Sequence, residues 1–392
     1  MKPFAHHRSP LSEDAATFNA PARVNLIGEH TDYTGGLVMP MGIPFYTTVR
    51  LQKVHEPHYS FESDLFGQRT VPTGNELTPF AEWSDYPFGV LSELQKLGLR
   101  LSPFRAFIHG DVPLGAGLSS SASIEVATCL ALLHWAGATL PIRDIALLCQ
   151  RAENCYVGSP CGIMDQTVIA AAIKNHALLI NTRDLTFEPI SMTRGGFADA
   201  CIVVCNSEGK HSVATGEYGS IRRQVEAGQA VLRERFASVL DLGMATLEQL
   251  DSVLDRVSTE CYKRCKHVIT ENARVRKARE AMLDGDVTKM GQLMTAAHNS
   301  QRDDLGTSCD EVDFLVDAAL NLEGCYGARM TGGGFGGCTV NLVMKDKAGA
   351  FSDSLRTQYK QRFGIDAKSW ICEAEEGAVA RNRFNAAGAG DR

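Results

Sequence analysis

The stretch Asp111-Val-Pro-Leu-Gly-Ala-Gly-Leu-Ser-Ser-Ser-Ala-Ser-Ile-Glu-Val126 organises the rest of the chain. Its proline and two glycines, Gly115 and Gly117, form a loop with few bulky side chains, which leads into three serines. Apolar residues at helical spacing then predict a helix from Ser120 to Trp135, ended by Gly137. Several backbone N–H groups and the positive end of the helix dipole therefore point at one spot, which suits a phosphate group.

An ordinary loop capped by serine is the alternative interpretation of the same residues, because Gly-Ala-Gly before an N-cap serine is common. The loop is not a Walker loop, since the chain contains no Gly-x-x-x-x-Gly-Lys-Ser/Thr sequence. The serine hydroxyls could nevertheless donate to phosphate oxygens or bind a magnesium ion. The choice between the two interpretations depends on the other polar segments of the chain.

Length and composition narrow the class of protein. The chain has 392 residues, of which 44% are hydrophobic and 22% are charged, as expected for a globular protein with two domains. A net charge of −7 argues against a nucleic-acid or membrane-surface partner. The 12 cysteines include no Cys-x-x-Cys pair, which predicts reduced, mostly buried thiols and a cytoplasmic location.

The segment 22–40 carries a dense polar cluster between two apolar strands. Ala22, Val24 and Leu26 alternate with polar residues, which predicts a strand that ends at Gly28. Three polar side chains follow it in a short loop: Glu29, His30 and Asp32. Carboxylates that accept from neighbouring hydroxyls can recognise a sugar, whereas a solvated turn is the alternative.

Two further acidic residues each allow two interpretations. Pro141 opens a predicted helix, and Glu153 continues the apolar stripe of that helix, where a carboxylate needs a partner. The partner is either an arginine or a metal ion that also binds phosphate.

Asp165 lies in the first turn of a helix predicted up to Ile173, where the dipole keeps a carboxylate ionised. Asp165 is therefore either a capping residue or a group with a chemical role.

The remaining pattern predicts the domain organisation. The residues 55–85 are predicted to be irregular and without identifiable chemistry, and a domain boundary is placed near residue 191, giving domains of residues 1–190 and 191–392. Strands are predicted at Tyr46–Lys53, Phe104–His109, His176–Ile180, Thr186–Ile190, Ala200–Cys205 and Cys338–Met344, and helices at Asp85–Lys96, Gln224–Phe236 and within 245–300.

A glycine run at Gly332, Gly334 and Gly337 fits the dinucleotide fingerprint Gly-x-Gly-x-x-Gly. A dinucleotide-binding run opens a helix, whereas this one leads into a strand, which argues against a dehydrogenase. The run is therefore predicted to be a tight turn where the backbone approaches another loop or a ligand.

Four motifs together resemble one family. The segment Arg23-Val-Asn-Leu-Ile-Gly-Glu-His-Thr-Asp-Tyr33 resembles the galactokinase signature, and Pro113–Ser123 resembles the ATP-phosphate loop of the wider GHMP small-molecule kinases. The run Arg329–Cys338 is similar to the third motif of those kinases, and Cys161–Gln166 to the galactokinase segment with the catalytic aspartate. This resemblance implies an α+β fold of two GHMP-kinase-like domains with the active site in the cleft between them.

The resemblance also implies a role for each matching residue. Asp165 would face the attacking hydroxyl as the catalytic residue, with Arg23 beside it. Ser121 and Glu153 would bind Mg²⁺. The sugar-binding residues would be Glu29, His30, Asp32, Gly162 and Tyr218. The ATP-binding residues would be Gly115, Ala116, Gly117, Leu118, Ser119, Ser120 and Ser121.

The resemblance implies ATP-dependent phosphorylation of the anomeric hydroxyl of galactose by a monomer whose partners are galactose and ATP. A related kinase for an amino sugar or another monosaccharide is the first alternative, and differs in the room around one hydroxyl. A sugar- and ATP-sensing regulator is a second alternative. Such a regulator is expected to have lost its phosphate loop or Asp165, and both are intact in this chain.

Overall fold

The computed structural model describes residue 11, residues 15–209 and residues 214–387. Over these residues the strands are β1 (Ala16–Asn25), β2 (Leu37–Val38), β3 (Pro40–Lys53), β4 (His58–Ser63), β5 (Gly67–Pro72), β6 (Phe104–Gly110), β7 (His176–Asn181), β8 (Thr186–Ser191), β9 (Ala200–Asn206), β10 (Cys325–Thr331), β11 (Cys338–Met344) and β12 (Lys368–Cys372). The α-helices are α1 (Asp85–Lys96), α2 (Ser120–Trp135), α3 (Ile142–Arg151), α4 (Met164–Ala171), α5 (Ala214–Arg235), α6 (Leu247–Asp251), α7 (Thr259–Asp284), α8 (Val287–Ser300), α9 (Asp310–Leu320), α10 (Ala348–Phe363) and α11 (Ala378–Ala387).

The first sheet has the strand order β1-β3-β6-β4-β5, in which the β4–β6 pair is parallel and the other pairs are antiparallel. Helices α1, α2 and α4 contribute to the core beneath it. Phe61 of β4 lies at the centre of this core, with its ring centroid 4.9 Å from that of Phe88 and 5.4 Å from that of Phe104. This sheet holds the β6 strand that leads into the glycine loop and α2.

The second sheet is antiparallel, with the order β10-β11-β9-β12. Helix α8 contacts β10, while α9 and α10 contribute the core on which β9 and β11 also pack. A third sheet, β2-β7-β8, lies in the first half of the chain. Helix α11 returns from the end of the chain to pack on β1 and α4, and an isolated bridge joins Gly42 to Glu375.

Most of the predicted elements are present. Helices α1 and α2 have the predicted bounds, and the hairpin β7–β8 and the strands β6, β9 and β11 lie where the alternation of apolar residues places them. Helix α4 begins at Met164 rather than at Thr167, and α5 begins ten residues before Gln224. A π-helix, Ala152–Val157, extends α3 up to Gly158.

The prediction that the residues 55–85 are irregular is wrong, because they contain the hairpin β4–β5. Tyr59 and Phe61 are buried, but β5 is an edge strand whose residues are mostly exposed. An edge strand of this kind carries little apolar alternation, so its pairing is set by β4, which in turn pairs with β6, and not by its own sequence.

The prediction of mostly buried thiols is confirmed, since eight of the twelve cysteines are buried and Cys155 is the exposed one. Within the described part of the chain, no helix combines the length and the apolar character needed to cross a membrane. No cluster of three or more His, Cys, Asp or Glu side chains in the described residues could hold a metal ion by itself.

Candidate active site

The glycine loop adopts the strained backbone that its sequence predicts. Gly115 has φ of 69° and Gly117 has φ of 73°, in the left-handed region that favours glycine. Ser119 has φ of 62° and precedes α2, but its hydroxyl does not cap the helix. It donates instead to a carboxylate oxygen of Asp165. The alternative of an ordinary serine-capped loop is therefore not what the structure shows.

Two residues of the loop hold it in the core. Ala116 and Leu118 are buried in an apolar cluster that also contains Ala22 and Val24 of β1. The backbone N–H of Arg23 donates to the Leu118 carbonyl at 3.3 Å. The loop is thereby fixed against the strand that carries the first polar motif.

Arg23 and Asp165 form a bidentate ion pair. Arg23 Nε donates to Asp165 Oδ1 and Arg23 Nη2 to Asp165 Oδ2, both at 2.6 Å, and Nη1 donates to the Gly117 carbonyl at 2.7 Å. Arg23 is buried, which by itself lowers its pKa, but the attraction and hydrogen bonds of Asp165 leave the pKa above its ordinary value. The guanidinium thus stays charged and joins the carboxylate to the glycine loop.

Glu29 connects the first motif to the third. Its Oε1 accepts from the Thr331 hydroxyl at 3.1 Å and from the Gly332 N–H at 3.0 Å, and lies 3.3 Å from Arg329 Nη2. Arg329 is fully buried. One carboxylate oxygen of Glu29 is therefore committed to the protein, which leaves Oε2 as the atom that can accept from a ligand.

His30 has φ of 60°, and its ring is held by two tyrosines. Its Nδ1 lies 2.8 Å from the Tyr33 hydroxyl, and its ring centroid lies 5.1 Å from that of Tyr218 on α5. Among the described residues no hydrogen-bond partner of standard geometry meets Nε2, although this atom is buried. Burial, with His267 adding to it, lowers the pKa of His30 to about 3, so the imidazole is neutral.

Asp32 lies against the backbone of Gly162. A Cβ added to Gly162 would overlap the Asp32 carboxylate, so the glycine is required for this contact. Burial, followed by repulsion from Asp165 and Glu29, raises the pKa of Asp32 to about 7. Gly162 therefore lies in direct contact with the acidic loop.

Glu153 lies in the π-helix, and among the described residues it forms no salt bridge, so the arginine alternative is not supported. Its Oε2 accepts from Gln166 Nε2 at 2.7 Å, and Gln166 also donates to the buried Glu125 at 3.1 Å. Burial, then repulsion from Asp165, raises the pKa of Glu153 to about 7, and a hydrogen bond from Ser121 opposes the rise. A hard cation beside an acidic oxygen and a hydroxyl would remove this electrostatic cost, so the residues fit Mg²⁺.

The predicted sugar-binding residues meet in one cavity of about 310 Å³. It is lined by Arg23, Glu29, His30, Asp32, Glu153, Ser159, Pro160, Cys161, Gly162, Met164, Asp165, Tyr218, Gly332 and Gly333. Tyr218, Gly332 and Gly333 come from the second half of the chain, and the other lining residues come from the first. The predicted close approach of the glycine run is confirmed, because a Cβ on Gly332 would lie 3.1 Å from the Gly117 carbonyl oxygen.

The phosphate-loop residues do not line that cavity. Ser120 and Ser121 instead line a second cavity of about 200 Å³ on the other side of the loop. Its other walls are largely apolar: Thr47, Ser63, Asp64, Leu65, Phe66, Trp83, Tyr86, Ile108, Gly110, Val112, Leu114 and Ile124. The Phe66 and Trp83 rings there are stacked, with centroids 6.2 Å apart.

Several residues of the site were not predicted. Gln166 bridges the two buried glutamates, and Arg222 lies over the Tyr33 ring at 5.2 Å. The spacing of Tyr218 and Arg222, four residues apart in a helix, is a signal that could have identified Arg222. The apolar cavity beside Ser121 depends on the β4–β5 hairpin, and so it could not follow from a segment interpreted as irregular.

Three family models match the chain. The model of the GHMP kinases N terminal domain matches residues 85–172, that of the galactokinase galactose-binding signature residues 5–53, and that of the GHMP kinases C terminal domain residues 278–361. A galactokinase of Halalkalibacterium halodurans is 36% identical over 367 residues, covering 93% of this chain and 92% of that protein. A galactokinase of Actinobacillus succinogenes is 37% identical over 366 residues, covering 91% and 93%.

Comparison with solved structures also finds a galactokinase. The crystal structure of Lactococcus lactis galactokinase complexed with galactose matches with a TM-score of 0.88 at 30% identity, covering 93% of this chain and 95% of that one. A mevalonate kinase matches with a TM-score of 0.67 at 19% identity, covering 91% and 98%, which bears on the fold alone.

Proposed function

The chain belongs to the galactokinase family of the GHMP kinases, and from this we propose that it transfers the γ-phosphoryl group of ATP to the anomeric hydroxyl of galactose. The products are galactose 1-phosphate and ADP, so the enzyme is a phosphotransferase with an alcohol acceptor, and the reaction brings galactose into catabolism. The observation that carries the proposal is the Arg23–Asp165 ion pair, which lies between a polar cavity and a glycine loop at a helix N-terminus.

Asp165 is proposed to orient the anomeric hydroxyl and to accept its proton. Its carboxylate lines the sugar cavity and is held by Arg23 and by the Ser119 hydroxyl. Phosphoryl transfer depends mainly on positioning and on stabilising charge, which a fixed carboxylate and a buried guanidinium supply. Arg23 holds the Asp165 carboxylate in place before the transfer and offsets the negative charge of the migrating group during it.

The other hydroxyls of galactose are proposed to bind the polar wall of the cavity. The free Oε2 of Glu29 and the Asp32 carboxylate can accept from hydroxyls, and the neutral His30 can bond one through its unpartnered Nε2. Tyr218 contributes a ring face beside His30 and a hydroxyl. Buried polar groups of this kind reject a sugar that lacks the matching hydroxyl, because they would be left without a partner.

ATP is proposed to bind across the glycine loop. The backbone donors of Gly115–Ser121 and the α2 N-terminus face the phosphates, and the apolar cavity beyond Ser121 accommodates the base. Mg²⁺ is proposed to be held by the Ser121 hydroxyl and the Glu153 carboxylate, where it would neutralise phosphate charge. Glu153 itself is kept in place by Gln166.

We also propose that the enzyme is a cytoplasmic monomer whose partners are its small-molecule substrates. The twelve free thiols support the location, since a reducing compartment keeps cysteines unpaired. Size-exclusion chromatography with light scattering would test the monomer, which a mass near twice 42.5 kDa would contradict.

The function is tested by measuring ADP release with ATP, Mg²⁺ and one sugar at a time: galactose, glucose, mannose, galactosamine and N-acetylgalactosamine. We expect galactose to give the highest kcat/KM, with the phosphate on the anomeric oxygen by NMR. A higher value for an amino sugar would favour the related sugar-kinase alternative. Sugar binding without turnover would favour the regulator.

A further inference from the structure

Arg222 on α5 touches two parts of the sugar site, and one further residue of its own helix, without lining the cavity. It follows Tyr218 by four residues and so lies on the same face of the helix, one turn further along. Its guanidinium carbon lies 5.2 Å from the centroid of the Tyr33 ring. Its Nη1 reaches the Cys161 carbonyl at 3.5 Å, and its Nε donates to Glu226 at 2.9 Å.

The contacts to Tyr33 and to Cys161 each lead to a group proposed to bind galactose. Tyr33 holds the His30 ring through the 2.8 Å contact to Nδ1, and His30 is one of the residues that line the cavity. Cys161 precedes Gly162, the glycine against which the Asp32 carboxylate lies. Tyr218 completes the set, since its ring lies 6.4 Å from that of Tyr33.

We infer that Arg222 is a positioning residue for the sugar, which clamps α5, the Tyr33 ring and the Cys161–Gly162 backbone together and so fixes His30. The inference rests on the proposed function, since it concerns the affinity of the same site for galactose. A guanidinium is suited to this position because it is flat and can stack on an aromatic ring while donating in its own plane. A lysine ammonium keeps the charge but cannot do both at once.

The contacts of Arg222 are with Tyr33, Cys161 and Glu226 and not with the glycine loop, so its loss should affect mainly the sugar. We expect Arg222→Met to raise the KM for galactose by about threefold to thirtyfold, the range covered by cation–π contacts from exposed to desolvated sites. The kcat and the KM for ATP should change less than about twofold, because the Arg23–Asp165 pair and the glycine loop are untouched. Arg222→Lys should restore part of the galactose affinity and no more.

The experiment measures kcat and both KM values for the wild type, Arg222→Met, Arg222→Lys and the matched control Arg223→Met. Arg223 is the exposed neighbour on the same helix, so its loss changes the charge equally without touching the site. Glu226→Gln, which weakens only the Nε contact, should give a smaller rise in the same direction and keeps the test valid if Arg222→Met does not fold.

Two results would overturn the inference. One is a KM for galactose that is the same in Arg222→Met as in the Arg223→Met control. If Arg222→Met does not fold, the same KM in Arg222→Lys, in Glu226→Gln and in the control has the same meaning. The other is an equal loss for galactose and ATP accompanied by a lower melting temperature, which indicates a purely structural role. Absence of galactose-dependent turnover in the wild type would instead contradict the proposed function.

Discussion

The Asp32 carboxylate, which is proposed to bind galactose, should lower the stability of the fold when it is ionised. The substitution Asp32→Asn tests this. The carboxylate is half-buried beside Asp165 and Glu29, and its loss of solvation, followed by their repulsion, raises its pKa from 3.8 to about 7. In the unfolded chain the same group ionises near its ordinary value. As the pH rises from about 4 to 7, the unfolded chain therefore binds fewer protons than the folded one, and stability falls.

The magnitude follows from the size of the pKa shift. The rise is about three units and each unit is worth about 1.4 kcal/mol, so the ionised Asp32 costs at most about 4 kcal/mol above pH 7. At pH 5 the folded protein holds this proton, and the cost is about a third of that value. An asparagine has the same shape and no charge, so Asp32→Asn should be more stable than the wild type, and more so at pH 8 than at pH 5.

The assay is urea unfolding of the wild type and Asp32→Asn at both pH values, with Asp346→Asn as the control for an exposed carboxylate. The KM for galactose should rise in Asp32→Asn, because both carboxylate oxygens can accept from sugar hydroxyls, whereas an amide has one oxygen that accepts. The reasoning is refuted if Asp32→Asn is no more stable than the wild type at pH 8. A gain of equal size at both pH values would also refute it.

Four further substitutions test the proposed roles on the nucleotide side and at the reacting hydroxyl. Asp165→Asn should reduce kcat by about a hundred- to ten-thousand-fold. Adding Arg23→Ala should reduce kcat little further, since the two residues act on one proton transfer. Near-normal product formation by Asp165→Asn, or reductions in kcat that multiply in the double variant, would contradict this. Gly117→Val should raise the KM for ATP and leave that for galactose nearly unchanged, because valine is strained at φ of 73°. Glu153→Gln should lose rate that added Mg²⁺ partly restores, whereas a loss confined to the melting temperature would make Glu153 a structural residue.

The parts of the fold that could be predicted are those whose signal is local. Helix α2 was predicted with its correct bounds because a glycine-serine start, an apolar run and Gly137 all agree. The hairpin β4–β5 was missed because its stability comes from pairing with β6, about forty residues further along the chain. The π-helix at Glu153 shows no pattern that distinguishes it from the end of an α-helix.

In the candidate site, too, the residues that could be predicted are those whose signal is local. The signature residues Glu29, His30 and Asp32 were recognisable because they are adjacent in the chain and unusually polar for a position between apolar strands. Their partners were not, since the hydrogen bonds from Thr331 and Gly332 to Glu29 span about three hundred residues. Contacts of this kind depend on how the two sheets are placed and leave no periodic trace in the sequence.

Of the four carboxylates that line the cavity, Glu153 is the one proposed to hold Mg²⁺, and the other three are compensated unequally, which identifies the group that depends on the sugar. Asp165 is paired with Arg23, and Glu29 is held by Arg329 and by the backbone N–H of Gly332. Asp32 forms no salt bridge among the described residues. A sugar hydroxyl that donates to Asp32 replaces the solvation which the carboxylate lost on folding, so galactose should lower its pKa and bind more tightly as the pH rises through about 7. Ionisation of Asp32 thus weakens the empty fold and strengthens the complex, because galactose supplies the missing partner.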